Sequence, residues 1–212
     1  MATPILFYVR HGETEWNSQG RLQGQHDSEL TALGHAQARQ SGEILRYLLA
    51  REERDLAALD FVASPLGRAR TTMEHVRAAL GLDDVHDYRV DARLAELSFG
   101  RWEGLAYREI KAHEKEALAA RELDKWNFAP PRGESYADLV ARLKAWHATV
   151  IRDAVVVAHG GTGRALAALR GIAKPDKAAL FDIDQGVVYV FREQGLRRYA
   201  RHGESPDGTV HQ

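Results

Sequence analysis

The chain has 212 residues, which is enough for one well-buried core and lies within the single-domain range. Its 29 basic and 30 acidic side chains give a formal net charge of -1, so no global basic field indicates nucleic acid and no acidic tail indicates a solvating role. Because the chain has no cysteine, disulfides, thiolate catalysis and Cys-ligated metal sites are excluded.

The sequence shows no targeting or membrane-spanning pattern. Residues 1–4 lack the basic region and the apolar stretch of a signal peptide. No run approaches the roughly 18 to 20 apolar residues that a membrane span needs. We therefore expect a cytoplasmic globular protein that binds neither nucleic acid nor a membrane.

The first predicted element is a strand that leads into an arginine and a histidine. Ile5–Val9 are five consecutive apolar residues rich in β-formers, which predicts a short strand buried on both faces. Arg10 and His11 follow at the point where a central parallel strand of an α/β sheet places its chemistry. The imidazole could be a nucleophile, a general base, a metal ligand or a hydrogen-bonded core residue.

A polar loop and a helix come next. Residues 15–27 are glycine-rich and polar, a composition typical of loops that carry binding groups. Thr31 is the predicted N-cap of a helix whose apolar positions continue to Leu49. The charged residues 51–55 are expected to end this helix at the surface.

The segment 59–95 contains a second strand and a second helix. Residues 59–63 predict a short strand. Ser64 and Pro65 are the predicted cap and first residue of a helix over 68–80, which stops at a glycine. Residues 82–95 indicate a loop with one extended segment.

An aromatic and glycine-rich loop with two carboxylates covers residues 94–104. Helices are predicted over 106–122 and 135–152, separated by a proline- and glycine-containing break at 130–133. The Trp, Tyr and Leu positions along 105–150 are expected to be mainly residues that pack the helices together, with some of them above the pocket.

The last third repeats the opening pattern. A β-branched run at 155–158 leads directly into His159, and residues 162–169 predict a helix. Residues 186–191 predict a further strand, with 196–200 as its hairpin partner. Strands that alternate with helices predict an α/β fold with a mainly parallel sheet covered on both sides, in one domain spanning 1–212.

Polar side chains follow three of the predicted strands. Arg10 and His11 follow the first, Ser64–Arg68 the second, and His159–Gly160 the third. Because the carboxyl ends of parallel strands meet at one edge, we expect these groups to converge. Arginine forks bind phosphate oxygens and stay charged, and glycine amides at a helix start add neutral donors. The pocket is therefore predicted to bind a compact anion, with phosphate the best fit.

Four ordered motifs resemble the signature of the histidine phosphatase superfamily, in the branch that includes the cofactor-dependent phosphoglycerate mutases. They are Arg10–Thr14 with Asn17, Gln23, Gly24 and the stretch 30–34; Ser64–Thr72, which holds a phosphate-binding arginine; Glu96–Gly104, which resembles the acid/base loop; and Val157–Gly161, which holds the second histidine. The resemblance covers nearly the whole chain. It implies a phosphoglycerate mutase-like three-layer α/β/α fold, in which the segment 105–150 roofs the site.

The resemblance implies a mechanism through phosphohistidine. His11 would attack phosphorus with a neutral ring nitrogen while a backbone carbonyl holds the other nitrogen. Arg10, Arg68 and His159 would surround the phosphoryl oxygens. Glu96 would protonate the leaving alcohol and then take a proton from water. The implied substrate-binding positions are Gly12, Asn17, Gln23, Gly24 and Gly160.

The same resemblance implies what else the site needs. No metal and no cofactor are expected, because two arginines and a histidine supply the positive charge. The expected partner is a small-molecule phosphomonoester, and because dimers are common among relatives, a homodimer is one expectation.

Several alternatives remain open from the sequence. Glu103 and Glu13 compete with Glu96 for the role of the acid, and Asn17 and Gln23 could be ordinary loop-closing residues. The sequence of the acid/base loop and the Gly-Gly after His159 resemble the phosphatase branch, whereas mutases are typically longer and carry a basic cluster around an insertion. We therefore predict hydrolysis, with mutase activity and a non-catalytic phosphate-binding module as alternatives. Sugar phosphates, phosphoglycerates, nucleotides and cobalamin-pathway intermediates remain candidate substrates.

Three other patterns are interpreted as coincidental or structural. Arg201–Glu204 repeats the opening tetrapeptide within a polar tail. Gly161–Gly163 weakly resembles a dinucleotide-binding loop but lacks the third glycine. The ten histidines contain no pair with the spacing of a zinc helix motif and a third ligand in reach.

Overall fold

The computed structural model describes residues 3–193 and 195–200, so the Arg201–Glu204 repeat lies outside the described residues. The strands are β1 (Leu6–Arg10), β2 (Asp60–Ala63), β3 (Arg89–Val90), β4 (Ala154–Ala158), β5 (Val188–Arg192) and β6 (Gly195–Tyr199). The helices are α1 (Glu15–Ser18), α2 (Ala32–Arg51), α3 (Gly67–Ala79), α4 (Tyr107–His113), α5 (Lys115–Leu123), α6 (Tyr136–His147), α7 (Gly160–Leu169) and α8 (Pro175–Ala178). None of the helices within these ranges is long and apolar enough to cross a membrane.

The six strands form one sheet in the order β3-β2-β4-β1-β5-β6. The pairs β1–β4, β2–β4 and β2–β3 are parallel, whereas β5 and β6 add two antiparallel pairs at one side. Arg10 is in register with Ala158, and Ala63 with Val157. The predicted mixed α/β fold with a mainly parallel sheet is confirmed, and three strands end at one edge.

Helices cover both faces of the sheet because side chains of β1 alternate between them. Phe7 and Val9 pack with apolar residues of α2 and α3, while Leu6 and Tyr8 pack with α6 and α7. All four side chains are fully buried, as the uninterrupted apolar run predicted. Burial of each such side chain contributes about 1.5–3 kcal/mol, which makes β1 a rigid support for the residues that follow it.

Two predicted helix boundaries were wrong. The helix expected over 106–122 is interrupted at Glu114, whose backbone (φ -130°, ψ 39°) separates α4 from α5. The helix expected over 135–152 ends at His147. The break accompanies tertiary packing, in which Ile110 of α4 and Leu118 of α5 enter one buried apolar cluster with Trp102.

The predicted cap of α3 was also wrong. Leu66, not Ser64, is the N-cap residue, and Gly67, not Pro65, is the first helical residue. The hydroxyl of Ser64 instead accepts from the Leu66 amide at 3.3 Å and contacts the second histidine at 2.7 Å. Ser64 therefore stabilises the loop between β2 and α3 and contacts the residue that follows β4, and it does not cap α3.

Candidate active site

Three parallel strands deliver the central residues of the site. The amide of His11 donates to Ala158 O and that of Ser64 to Val157 O, both at 3.0 Å, which continues the sheet pairing past the strand ends. The rings of His11 and His159 are consequently 5.1 Å apart between centroids, with 59° between their planes. Both side chains are buried, with 3% and 0% exposure. The predicted convergence of Arg10, His11, Ser64–Arg68 and His159 is therefore present.

The hydrogen bonds of His11 fix its tautomer. Nδ1 lies 2.7 Å from the carbonyl oxygen of Gly12, which can only accept, so Nδ1 carries the proton. Nε2 keeps its lone pair and receives a hydrogen bond from Arg68 Nε at 3.3 Å. Burial lowers the pKa of His11 well below its usual range, and the charges of Arg68 and Arg10 lower it further. The imidazole is thus held neutral, with Nε2 unprotonated beside the Arg68 guanidinium.

Three residues of the loop between α1 and α2 hold the Arg68 guanidinium. Its guanidinium donates to Gly24 O at 2.7 Å, to His26 O at 2.6 Å and to Asp27 Oδ1 at 3.0 Å. Asp27 also accepts from the Gly67 amide at the start of α3. Burial lowers the pKa of Arg68 and the Asp27 carboxylate counteracts it, so the guanidinium keeps its charge in a buried place.

Arg10 contributes a second guanidinium beside Gly160. Its Nη1 donates to Ile183 O at 2.8 Å, while its Nε is buried without a partner. A Cβ on Gly160 would lie 3.6 Å from Arg10 Nε and 3.4 Å from Nη1 of Arg164. Gly160 therefore borders two cations, and Arg164 is a site residue that the sequence prediction did not include.

His159, the second histidine, has one ring nitrogen without a hydrogen-bond partner in the part of the chain that the structure describes. Nε2 of His159 contacts Ser64 Oγ at 2.7 Å, and its Nδ1 is buried without a partner. Ser64 Oγ can accept from Leu66 and at the same time donate its proton to Nε2, and this arrangement places the imidazole proton on Nδ1. Burial lowers the pKa of His159 well below its usual range, with further lowering by Arg68 and His11.

Unpartnered buried polar atoms are rare in folded proteins. Within the described residues, three side chains have one, and two of these, Arg10 and His159, lie beside His11. Both atoms are donors in the states assigned above. Their arrangement suits an anion whose oxygens would accept from them.

Glu96 lies against the start of α7. Its carboxylate accepts from the amides of Leu97 at 2.8 Å and Gly161 at 3.0 Å. A Cβ on Gly161 would lie 2.4 Å from Glu96 Oε1, so a side chain at this position would displace the carboxylate. The negative charge of Glu96 acts on the pKa of Arg10, which burial lowers and this charge raises, so Glu96 belongs to the same electrostatic unit.

The two competing carboxylates are engaged elsewhere. Glu103 accepts from the amides of Gln25 at 3.1 Å and Phe99 at 2.9 Å. Glu13 accepts from the Thr31 hydroxyl at 2.8 Å, next to the N-cap of α2. These bonds close loops. Glu96 is held by two amides as well, but it lies at the start of α7 beside Gly161, and this position favours it as the candidate proton donor.

The other predicted binding residues are mainly loop-closing in this structure. Gln23, 6% exposed, donates to Thr14 Oγ1 at 2.6 Å, and Asn17 Oδ1 accepts from the Thr14 amide at 3.3 Å. The amide of Gly12 donates to Thr72 Oγ1 at 3.1 Å, so it is already occupied. Gly24 contributes its carbonyl to Arg68. The amide of Gly160 is in the first turn of α7.

The glycines of the dinucleotide-like segment have packing functions. Gly161 makes room for Glu96, as described, and a Cβ on Gly163 would lie 3.0 Å from the Tyr8 ring. This agrees with the interpretation that the segment is not a dinucleotide-binding loop. Among the residues that the structure describes, no group of three or more His, Cys, Asp or Glu side chains is arranged to hold a metal ion.

Known proteins resemble this chain over most of its length. The model of the histidine phosphatase superfamily (branch 1) matches residues 6–205. A glucosyl-3-phosphoglycerate phosphatase of Mycobacterium tuberculosis is 37% identical over 177 residues, covering 77% of this chain and 73% of that protein. A 2,3-bisphosphoglycerate-dependent phosphoglycerate mutase of Brucella anthropi is 32% identical over 195 residues, covering 88% of this chain and 91% of the mutase.

Solved structures agree with the sequence relatives. The mycobacterial glucosyl-3-phosphoglycerate phosphatase in complex with VO3 superimposes with a TM-score of 0.75 at 30% identity, covering 92% of this chain and 96% of that one. Its native structure gives a TM-score of 0.74 at 31% identity, with coverage of 88% and 89%. The likeness therefore extends through the sheet and the helices that surround the candidate site.

Proposed function

The chain belongs to the histidine phosphatase superfamily (branch 1), and on that premise we propose that it hydrolyses small phosphomonoesters through a phosphohistidine on His11. The observation that carries the proposal is the hydrogen bond between His11 Nδ1 and Gly12 O. It leaves Nε2 unprotonated and directed to a site with two guanidinium groups. Such a nitrogen is a competent nucleophile at neutral pH.

In the first step, His11 Nε2 attacks the phosphorus of the ester. The nitrogen–phosphorus bond forms as the bond from phosphorus to the leaving oxygen breaks, and Glu96, which enters this step in its protonated form, gives its proton to that oxygen and becomes a carboxylate. Arg10 and Arg68 stabilise the charge that spreads over the three phosphoryl oxygens, and His159 Nδ1 donates to one of them. The free alcohol then leaves.

In the second step, water attacks the phosphohistidine. The Glu96 carboxylate takes a proton from this water, the nitrogen–phosphorus bond breaks, and inorganic phosphate is released. The chemistry needs no metal ion, because the two arginines supply positive charge at the phosphoryl group and the neutral His159 supplies a hydrogen bond. Positioning and electrostatics thus account for the catalysis, as phosphoryl transfer requires.

Phosphoglycerate mutase activity is the second candidate, because a mutase relative matches over 91% of its own length. Chain length therefore does not distinguish the two reactions here. The loop 96–104 and the Gly-Gly after His159 support hydrolysis. Interconversion of 2- and 3-phosphoglycerate that is faster than phosphate release from any monoester would overturn the phosphatase proposal.

The test is turnover of p-nitrophenyl phosphate in EDTA by the wild type, His11→Ala and His113→Ala. His113 is an exposed histidine and provides the matched control. We expect wild-type and control activity to be equal in EDTA, and His11→Ala to lose more than about 10³-fold, because removing a nucleophile abolishes the covalent route. Activity that needs metal or survives His11→Ala contradicts the mechanism, and binding of vanadate without turnover supports a non-catalytic module.

The substrate is sought by a phosphate-release screen over a metabolite panel. The panel includes sugar phosphates, phosphoglycerates, nucleotides and cobalamin-pathway phosphates. Glucosyl-3-phosphoglycerate is included because one relative is a phosphatase of that name. The substrate with the highest kcat/KM defines the class of leaving group.

A further inference from the structure

We propose that Arg142, on α6, is a positioning residue that holds the loop of Glu96 in place for proton transfer. The inference rests on the proposed function, since it concerns how the proton donor of that reaction is held. Arg142 lies 46 residues from Glu96 in sequence. None of its hydrogen bonds among the described residues goes to either buried histidine, while its positive charge adds to the lowering of the His159 pKa, so the test includes a lysine variant that keeps the charge.

One guanidinium binds three carbonyls of the same short stretch of backbone. Arg142 Nη1 donates to Arg93 O at 2.8 Å and to Ala95 O at 3.0 Å. Its Nη2 donates to Glu96 O at 3.3 Å. A planar fork with fixed donor directions is suited to this task, because it fixes the path of the backbone and not only its distance.

The same side chain reaches the other end of the loop through Glu134. Arg142 pairs with Glu134 through Nε at 3.2 Å and Nη2 at 3.0 Å, and Glu134 Oε2 accepts from the Ser98 amide at 3.0 Å. Gln25 adds a further contact, since its Nε2 donates to Glu96 O at 3.2 Å. The ion pair therefore anchors the backbone on both sides of Glu96.

This ion pair is better shielded than most surface pairs. The side chains of Arg142 and Glu134 are 21% and 24% exposed. A bidentate pair with backbone partners on both side chains forms a network, in which the loss of one member leaves several polar groups unpaired. Its contribution is therefore expected to be larger than that of an isolated surface salt bridge.

The position of the Glu96 carboxylate depends on this backbone. The carboxylate spans the Leu97 and Gly161 amides, so it lies between the loop and the start of α7. If the loop moves away from α7, the carboxylate moves away from the leaving oxygen. A displacement of about 1 Å costs about 100-fold in the step that depends on it.

The leaving group separates positioning from general support of the fold. p-Nitrophenolate leaves readily without a proton, whereas an alkoxide such as that of glycerol must be protonated as it departs. A disturbed proton donor therefore slows an alkyl phosphate far more than an aryl phosphate. A merely structural defect slows both substrates by the same factor.

The experiment measures kcat/KM of Arg142→Gln on glycerol phosphate and on p-nitrophenyl phosphate. The matched control is Arg170→Gln, because Arg170 also binds backbone carbonyls, Phe191 O at 3.2 Å and Pro4 O at 2.6 Å, away from the site. We expect Arg142→Gln to lose about 100-fold on glycerol phosphate but less than about 5-fold on p-nitrophenyl phosphate. Arg170→Gln should leave the ratio of the two values unchanged.

A second readout follows the phosphoenzyme. Because Glu96 also activates the water, Arg142→Gln should hydrolyse phosphohistidine slowly and give a pre-steady-state burst of p-nitrophenol. Arg142→Lys keeps the charge but not the fork, so it should recover only part of the loss on glycerol phosphate. If Arg142→Gln does not fold, Arg142→Lys and Glu134→Gln are judged by the same ratio of the two substrates.

The two levels of the proposal fail differently. A wild type that releases phosphate from neither substrate, nor from the metabolite panel, overturns the proposed function. An active wild type whose Arg142 variants lose equally on both substrates, without a burst, overturns only the assignment of Arg142. Loss on the alkyl substrate that Arg170→Gln reproduces also overturns it.

Discussion

At the scale of single residues, the two buried histidines present opposite ring nitrogens to the site. His11 is held through Nδ1 by a carbonyl, so Nε2 is unprotonated and accepts from Arg68. His159 is held through Nε2 by a serine, so Nδ1 is free. In the proposed reaction, one histidine attacks phosphorus while the other donates to a phosphoryl oxygen. Their difference comes from the second partner of each ring and not from the imidazoles themselves.

The first prediction concerns Ser64 and the tautomer of His159. Nitrogen-15 NMR of the imidazole should find the proton of His159 on Nδ1 in the wild type. Ser64→Ala removes the donor to Nε2, so a mixture of tautomers is expected. Activity on p-nitrophenyl phosphate should then fall about 10-fold, because one hydrogen bond to the developing charge is weakened.

Ser41→Ala is the control for this prediction. Ser41 is also fully buried, and its Oγ lies 3.5 Å from Val187 O, outside the site. This variant should retain the wild-type imidazole signals and activity. A proton found on Nε2 of His159 in the wild type would show that the assignment of the serine hydroxyl is wrong.

At the scale of elements, α2 starts in direct contact with the loop after β1. A Cβ on Gly12 would lie 2.2 Å from Gly34 O, and a Cβ on Gly34 would lie 2.0 Å from Glu13 O. Thr31 caps the helix through the Gly34 amide at 3.0 Å. This contact fixes the backbone of Gly12, whose carbonyl in turn holds His11. The start of α2 thus supports the residue proposed as the nucleophile.

The second prediction tests this close approach with Gly34→Ala. The methyl group would overlap backbone atoms, so the free energy of unfolding in urea should fall by about 3 kcal/mol. Gly20→Ala is the comparison, since Gly20 has φ +66° but nothing within 4 Å of its Cβ position. It should cost about 1 kcal/mol from backbone strain alone. Equal losses in the two variants would contradict the role of the contact.

The elements that the sequence predicts well are those with a strong local signal. The apolar runs of β1 and β4 and the Thr31 cap of α2 were predicted and are confirmed. The break at Glu114 was missed because residues 106–122 have helical periodicity throughout, and only packing separates the two helices. The start of α3 was misplaced because Ser64, a good cap by local rules, is recruited by a histidine 95 residues away.

The site shows the same division. Strand ends followed by charged residues are visible in the chain, so Arg10, His11 and His159 could be predicted. Arg164 could have been found, because it follows Gly160 by one helical turn on a helix that begins at the site. Arg142 could not have been found, since its proposed function depends on hydrogen bonds to backbone carbonyl groups, which no side-chain pattern indicates. Hydrogen bonds from side chains to backbone carbonyls are thus the part of the site that cannot be predicted from sequence patterns.

At the scale of the whole molecule, burial of neutral histidines connects the site to the stability of the fold. His11 and His159 both have pKa values well below their usual range, with burial as the largest cause. In the unfolded chain they bind protons near pH 6.5. Between the folded and unfolded pKa values, the unfolded state binds more protons, so acid favours unfolding.

The third prediction follows from that sign. Stability from these histidines is fully present above about pH 6.5 and is lost as the pH falls below it. The wild type should lose free energy of unfolding between pH 7 and pH 5. His11→Gln should lose less over the same interval, by about 1–2 kcal/mol, since each histidine contributes up to about 1.4 kcal/mol per pH unit.

His113→Gln provides the reference for this measurement, because His113 is exposed. Its pH dependence should match that of the wild type in urea titrations at pH 7, 6 and 5. His75 and His147 also have lowered pKa values, mainly through burial, so part of the dependence should remain in His11→Gln. A dependence unchanged by His11→Gln would mean that His11 is not neutral in the fold.

The position of β1 in the sheet has a consequence for biosynthesis. Its partners β4 and β5 come much later in the chain, and the Tyr8 hydroxyl donates a hydrogen bond to the carbonyl of His159, 151 residues away. At about 5–20 residues per second, the ribosome needs roughly 10–35 s after making β1 before its second neighbour is complete. Until β4 is complete, the four apolar residues of β1 have no neighbouring strand to pair with. The sheet order that brings the two histidines together thus leaves the apolar side chains of β1 unpaired during most of the synthesis of the chain.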